Sequence, residues 1–302
     1  MKKVKIKCSW TSDDLILNRL LSQFKTSEKD LSNIIFSDND YDIIIFFGYI
    51  NSDINNEATA YVFPQEPTWS GNHQKQFPKH NNLIIYGYDK NNYSIQDTIK
   101  ENVSLMFYGG RGDTQEIIDY WTYDKIFNFN QIKTHNISSI VSSLGDLSLD
   151  IPYGSLYNKR CNLIKYLIEN TSFIDIFSWQ NNGKNVKGWL DKKIHGLDKY
   201  RFSLCIENSS EKNYISEKFY DCILTNTIPI YYGCKNIKDF LPENGYFYID
   251  NIDNVENILD LLIDINTNAD SYYNKMLPEL QKIKQKYFDI YNPLKIINNL
   301  SS

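Results

Sequence analysis

Short apolar runs recur along this chain, and longer amphipathic segments separate them. The runs form two series, 3–8, 42–47, 60–63, 83–86 and 104–108, and then 137–142, 173–177, 202–206, 228–232 and 246–249. Several are continuously apolar rather than alternating, which is typical of parallel strands that are covered on both faces. Helical patterns fall between the runs, for example at 12–24, 156–169 and 254–265. This alternation predicts an α/β fold with parallel sheets.

The two series of strands predict two domains. A chain of 302 residues is about twice as long as a typical domain. We expect two Rossmann-like domains that face each other across a cleft, at 1–134 and 135–280. A C-terminal helical segment, 281–302, is expected to pack back on the first domain. One long doubly wound sheet is the alternative.

The composition excludes some classes of protein. The content of 42% hydrophobic and 23% charged residues is typical of a globular chain, and the net charge of −5 argues against a nucleic-acid-binding protein. No apolar run reaches the length of a membrane span, and the N-terminus lacks the apolar core of a signal peptide. We therefore expect a cytoplasmic protein without a transmembrane segment, while a peripheral association with membranes stays open. Five cysteines without CxxC spacing are expected to be buried free thiols.

The segment "IENSSEKNYISEKFYD", residues 206–221, is polar although it lies between two predicted buried strands. If 214–225 is a helix, Tyr214, Glu217, Lys218 and Asp221 form one polar ridge, separate from the apolar side. The ridge follows the carboxyl end of a strand, where ligands bind in open α/β sheets. A lysine at a helix N-terminus suits phosphate, and an adjacent glutamate can accept hydrogen bonds from vicinal sugar hydroxyls.

This pattern suits a nucleotide with a ribose and a diphosphate. The competing interpretation is an ordinary solvated Glu–Lys pair on an exposed helix, and spacing alone slightly favours it.

The longer segment 200–250 changes that balance. Three motifs stand in order, Glu207-Asn208-Ser209, Tyr214-Ile215-Ser216-Glu217-Lys218 and Thr227-Ile228-Pro229-Ile230-Tyr231-Tyr232-Gly233. In this order and spacing they resemble the signature of glycosyltransferase family 10, the α1,3/4-fucosyltransferases. The resemblance implies a GT-B fold and an inverting transfer of fucose from GDP-fucose to a glycan. It also implies that no metal is obligatory in the site.

The resemblance also implies roles for residues of the second half. Lys218 would contact the diphosphate and Glu217 the ribose hydroxyls, while Asn208 and Tyr214 would line the nucleotide pocket. The family has an arginine on the first helix of its C-terminal domain, and Arg160 in "YNKRCNLIKYL" is the candidate. A forked guanidinium suits a diphosphate.

The catalytic base is expected in the first half. An inverting transfer requires a group that takes the proton of the acceptor hydroxyl. The family places a glutamate in a loop after a strand, and "AYVFPQEPTWSG" fits with Glu66. Trp69 in this loop offers a platform for a sugar face, and His73 is an alternative base.

Several features leave alternatives open. "YYG" replaces the commoner "YWG", and the first half matches the family poorly apart from the Glu66 loop. The acceptor is therefore undetermined. One alternative is the same fold and reaction with a different nucleotide-sugar donor. Another is a catalytically inactive GT-B protein that binds a nucleotide or a glycan.

Overall fold

A computed structural model describes residues 1–68, 80–93, 98–110, 114–142, 155–179 and 183–300. The first half contains β1 (Lys2–Cys8), α1 (Asp13–Phe24), β2 (Ile34–Phe36), β3 (Ile43–Phe47), β4 (Thr59–Phe63), β5 (Leu83–Gly87), β6 (Ile99–Glu101), α2 (Thr114–Tyr120) and α3 (Tyr123–Phe127). The second half contains β7 (His135–Ile140), α4 (Tyr157–Asn170), β8 (Ile174–Phe177), β9 (Tyr200–Ile206), α5 (Glu217–Leu224), β10 (Ile228–Tyr232), β11 (Phe247–Tyr248), α6 (Val255–Thr267), α7 (Ala269–Asp289) and α8 (Pro293–Asn299).

The first half forms a six-stranded parallel sheet with the order β2-β1-β3-β4-β5-β6. All five residues of the central strand β3 are buried. One of its sides packs into the main core and the other into a smaller cluster that includes Ile44 and Phe46. Cover on both faces explains why this strand is continuously apolar in sequence.

The second half forms a five-stranded parallel sheet with the order β11-β10-β9-β7-β8. Its central strand β9 pairs with both β7 and β10. The strand leads into the polar segment and then into α5, which packs against β9 and β10. The carboxyl ends of β7 and β9 therefore form the edge at which the predicted nucleotide site should lie.

The predicted α/β fold with parallel sheets is confirmed, and most predicted strands are present within a few residues. Two short strands, β2 and β6, were not predicted, because three residues carry too little pattern. The predicted strand 104–108 is wrong. This segment is buried but pairs with no strand in the described part of the chain, and it passes between the two halves of the molecule.

The segment 104–108 is buried because it lies between the two halves of the molecule. The hydroxyl of Ser104 accepts a hydrogen bond from the amide of Ile215 at 2.8 Å and donates one to the carbonyl of the same residue. The carbonyl of Tyr108 accepts hydrogen bonds from Arg19 and Gln23 of α1, each at 2.9 Å. The apolar side chains of this run are therefore explained by burial between the two halves and do not indicate a strand.

The C-terminal helices return to the first half. The helix α8 packs against α1. The side-chain amide of Asn292, which precedes α8, donates to the carbonyl of Phe24 at 2.8 Å, and Asn298 accepts from the amide of Asn33 at 2.9 Å. From α7, the Tyr287 hydroxyl donates to the carbonyl of Met106 at 2.9 Å. The boundaries 1–134, 135–280 and 281–302 themselves stay a prediction.

The five cysteines are free and buried, as expected from their apolar surroundings in the sequence. Within the described ranges, the helices are too short or too polar to cross a lipid bilayer.

The Ser104 contact generates a test of the junction between the halves. We expect Ser104→Ala to lower the free energy of unfolding by about 1–3 kcal/mol, because two buried backbone groups of Ile215 lose their partner. Chemical denaturation would measure the change. Ser271→Ala is the matched control, because Ser271 is exposed on α7, and it should change stability by less than about 0.5 kcal/mol. Equal stability of Ser104→Ala and the control would contradict this role of Ser104.

Candidate active site

A cavity of about 660 Å³ opens where the carboxyl ends of the strands of both sheets meet. The first half contributes Trp10, Gln65, Glu66, Met106, Phe107, Gly109, Gly110 and Glu116. The second half contributes Ile140, Val141, Ser142, Arg160, Trp189, Leu190, Asp191, Lys193, Asn208, Tyr214, Glu217 and Lys218. A cleft between two α/β sheets is where a ligand of such folds is expected.

The structure brings together every predicted site residue that it describes. The six residues are Glu66, Arg160, Asn208, Tyr214, Glu217 and Lys218, and all of them line the cavity. Trp69 and His73 lie outside the described residues. The grouping supports the predicted donor site and base, although the role of each residue stays a prediction.

The helix α5 begins later than predicted. Ser216 is its N-cap, and the hydroxyl of Ser216 accepts from the amide of Lys218 at 3.2 Å. Tyr214 therefore precedes the helix and does not share a helical ridge with Glu217. Asp221, the fourth member of the predicted ridge, is fully buried. The predicted four-residue polar ridge is therefore wrong, and Glu217 and Lys218 are the residues of α5 that line the cavity.

Glu207 anchors the polar segment from beneath. Its carboxylate is fully buried and accepts from the amide of Ser216 at 2.7 Å and from the hydroxyl of the same serine. The Tyr231 hydroxyl lies 3.3 Å from Oε1 of Glu207. A Cβ at Gly233 would overlap the side chain of Glu207. The first glutamate of the motif thus holds the loop in place, which the sequence did not reveal.

Charges of alternating sign run along this side of the cavity. Lys193 Nζ lies 2.6 Å from Oδ2 of Asp221 and 3.7 Å from Oε1 of Glu217. Lys218 Nζ lies 3.3 Å from the same oxygen of Glu217 and 3.8 Å from Oε2 of Glu207. Two lysines and three carboxylates therefore alternate between the buried Asp221 and the buried Glu207.

This arrangement keeps Glu217 ionised. Burial opposes its ionisation, but the charges of Lys218 and Lys193 outweigh burial and lower the pKa of Glu217 from 4.5 to about 2. Glu207 and Asp221 are different, since burial raises the pKa of each despite a nearby lysine. Glu217 is thus a persistent hydrogen-bond acceptor at neutral pH.

Arg160 presents donors to the cavity from α4. Its Nη1 donates to Oδ1 of Asn208 at 2.8 Å, and the guanidinium lies over the ring of Tyr157. The side chain is buried, and its Nε has no hydrogen-bond partner within the described part of the chain. A guanidinium in the cavity lining suits an anionic ligand.

Glu66 lies on the first-half wall, in the loop after β4. The side-chain amide of the preceding Gln65 donates to the carbonyls of Phe63 and Leu105, and the hydroxyl of Tyr88 donates to the carbonyl of Pro64 at 2.8 Å. These hydrogen bonds hold the residues that precede Glu66 against the first half of the molecule.

Glu66 also acts electrostatically on the second half. Burial raises the pKa of Tyr214, and the charges of Glu207 and Glu66 add to that effect. A carboxylate from the first half is thus near enough to influence a residue of the predicted donor pocket.

Sequence reasoning missed several residues of this site. Lys193 lies in an Asn- and Lys-rich stretch, 177–195, which carries no motif or period. Glu116 and the Gly109–Gly110 turn follow the apolar run 104–108, which was interpreted as a strand. Only the contacts across the cleft identify these positions. No cluster of three or more His, Cys, Asp or Glu side chains suited to a metal ion occurs in the ranges that the structure describes.

Comparison with known sequences gives a family match in the second half and several partial matches to curated proteins. Residues 131–277 match the profile of the C-terminal region of glycosyltransferase family 10 (fucosyltransferase). A segment of 116 residues is 28% identical to a fucosyltransferase-like protein of Arabidopsis thaliana, and covers 38% of this chain and 22% of that protein. The α-(1,3)-fucosyltransferase FucT of Helicobacter pylori is 32% identical over 95 residues, which is 31% of this chain and 19% of that protein.

A third relative is fut-6, an α-(1,3)-fucosyltransferase of Caenorhabditis elegans. It is 32% identical over 124 residues, which is 38% of this chain and 31% of that protein. The matched segments thus cover at most about a third of these three curated relatives.

Solved structures extend the likeness to the whole fold. A crystal structure of an α1,3-fucosyltransferase with GDP-fucose superposes with a TM-score of 0.53 and 16% identity, over 96% of this chain and 90% of that one. The Anabaena protein HepE in complex with UDP and glucose also gives a TM-score of 0.53, with 9% identity and complete coverage of both chains. At these identities the likeness concerns the fold. It confirms the prediction of a GT-B fold with two Rossmann-like domains across a cleft.

The sequence match and the fold point to the same assignment. The motifs that first indicated it, from Glu207 to Gly233, lie inside the matched segment. The sequence match confirms the resemblance to glycosyltransferase family 10 in residues 131–277, which are just under half of the chain.

Proposed function

We propose that this protein is an inverting glycosyltransferase that transfers fucose from GDP-fucose to a hydroxyl group of a glycan. The observation that carries the proposal is the convergence of six predicted residues, from both halves of the chain, on one cavity. The match to the family profile supports the reaction class, and the names of the relatives support fucose as the transferred sugar. The proposal includes glycan biosynthesis, such as protein glycosylation, as its setting.

The donor would bind to the second sheet. Lys218, at the N-terminus of α5, and Arg160, on α4, would neutralise the diphosphate. Arg160 lines the cavity, and its forked guanidinium suits a phosphate oxygen. Glu217 would accept hydrogen bonds from the ribose hydroxyls, while Asn208 and Tyr214 would line the nucleotide pocket.

Glu66 would act as the general base. Its carboxylate would take the proton of the acceptor hydroxyl while the acceptor oxygen attacks the anomeric carbon. The bond from that carbon to the diphosphate breaks on the opposite face, and GDP leaves with the electron pair. The configuration at the anomeric carbon inverts. Charges from Lys218 and Arg160 would stabilise the leaving diphosphate.

The identity of the donor can be tested directly. The purified protein would be incubated with a panel of nucleotide sugars, and hydrolysis and transfer would be measured for each. We expect turnover of GDP-fucose. Turnover of another donor, with none of GDP-fucose, would assign the protein to the alternative with the same fold and reaction. Tight GDP binding without any turnover would indicate an inactive binding protein.

The role of Glu66 generates one prediction. Glu66→Gln keeps the shape of the side chain but removes its basicity, and we expect kcat to fall by about 10²–10⁴-fold. Steady-state kinetics with saturating GDP-fucose would measure the loss. Glu57→Gln is the control, because Glu57 is exposed in the loop before β4 and should leave kcat unchanged. A normal kcat in Glu66→Gln would mean that another group is the base.

The role of Lys218 generates a second prediction. Lys218→Ala removes a positive charge from the proposed diphosphate site, and we expect KM for GDP-fucose to rise by about 10–100-fold. Lys282→Ala serves as the control, since Lys282 is exposed on α7. Lys218→Ala with an unchanged KM would exclude a direct contact between this lysine and the donor.

A further inference from the structure

Lys193 lines the cavity and pairs with two carboxylates, although the proposed reaction does not use it. It begins a 3₁₀ turn, Lys193–Gly196, and only 22% of its side chain is exposed. Its ammonium group bridges Asp221 and Glu217, at 2.6 and 3.7 Å. The proposed reaction assigns no step to it.

The first half of the chain positions both the backbone of Lys193 and, through Asp221, its ammonium group. Its backbone amide donates to Oε1 of Glu116 at 3.1 Å. Its ion-pair partner Asp221 accepts from the backbone amide of Gly109 at 2.7 Å. Gly109 has φ +85°, and a Cβ there would lie 2.8 Å from Cγ of Trp121, so the turn suits only glycine. The position of the ammonium group is thus determined from across the cleft.

The turn that includes Gly109 is itself anchored. Arg19 of α1 donates to the carbonyl of Tyr108 at 2.9 Å and to the carbonyl of Gly110 at 3.1 Å. The buried guanidinium of Arg19 thus fixes the backbone on both sides of Gly109, whose amide donates to Asp221. The ammonium group of Lys193 is therefore paired with a carboxylate whose own position is fixed by the anchored turn.

The residue that Lys193 positions is Glu217. This carboxylate lies between Lys193 and Lys218, which are 3.7 and 3.3 Å from the same oxygen. If Lys218 turns towards a bound diphosphate, its pairing with Glu217 weakens. Lys193 then remains as the cation that keeps this carboxylate in place. A carboxylate held by one ion pair can still accept hydrogen bonds at its second oxygen.

We propose that Lys193 is a positioning residue that holds the Glu217 carboxylate ready to accept hydrogen bonds from the ribose hydroxyls of the donor. Through Asp221 it ties that orientation to the Gly109 turn of the first half. The inference rests on the proposed function, because it takes Glu217 as the group that contacts the ribose.

The test measures recognition of the ribose hydroxyls rather than activity. Isothermal titration calorimetry would compare GDP with 2′,3′-dideoxy-GDP, which lacks both hydroxyls. We expect the wild-type protein to bind GDP about 10–100-fold more tightly than the analogue. In Lys193→Met this ratio should fall to about threefold or less. Lys192→Met is the matched control, since the adjacent lysine lies against the ring of Tyr120 and is outside the cavity lining.

A double-mutant cycle separates positioning from general damage. Glu217→Gln should lower the same ratio, and Lys193→Met combined with Glu217→Gln should lower it no further, because both changes act on one group. Losses that add would overturn the proposal. An unchanged ratio in Lys193→Met, with a lowered one in Glu217→Gln, would also overturn it.

Folding is controlled by a second variant. Lys193→Met leaves Asp221 buried without its cation, which can destabilise the protein. Lys193→Met with Asp221→Asn removes both charges together and should fold, yet still lose the discrimination. Full discrimination in that variant would refute the positioning role.

Failure of the proposed function gives a different result. If the wild-type protein does not bind GDP, or if Glu217→Gln retains full discrimination, the donor site is wrongly assigned. Either result also removes the basis for the role of Lys193.

Discussion

The position of the charged side chains in the cleft depends on two buried carboxylates. Glu207 and Asp221 are fully buried at opposite ends of the charged row. A buried carboxylate without compensation is strongly destabilising, so each needs a cation and hydrogen-bond donors. Lys218 and Lys193 supply the charges, and backbone amides of Ser216 and Gly109 supply hydrogen bonds. The buried carboxylates therefore hold the two lysines in place, and both lysines also pair with Glu217 on the cavity wall.

This arrangement explains how a loop can carry a well-ordered site. The segment between β9 and α5 is polar and has few apolar side chains to bury. Its position comes instead from the Glu207 contact below it and from Ser104, which bonds both backbone groups of Ile215. Because one of these anchors belongs to the first half, the cavity has its described shape only when the two halves are in contact. A ligand that binds there would contact a surface that both halves determine.

The two halves differ in how well sequence comparison describes them. The family match covers 131–277, whereas the first half is related to known proteins mainly through its fold. A nucleotide site of this kind needs particular groups at particular strand ends, so its motif is dense and local. The first half needs chiefly a parallel sheet with buried strands, which many sequences satisfy. The loop of Glu66 is the part of it that sequence reasoning did connect with the site.

Sequence alone determined the elements whose signal is local. The apolar runs predicted most strands, the helical pattern at 12–24 predicted α1, and the motifs from Glu207 to Gly233 predicted the donor edge. Tertiary structure decided the contacts between distant segments, since periodicity reports burial but not the burying partner. It placed 104–108 between the two halves, buried Asp221 beside the amide of Gly109 and brought Lys193 to Glu217. These contacts join segments that are far apart in the chain, and no short stretch of sequence contains that information.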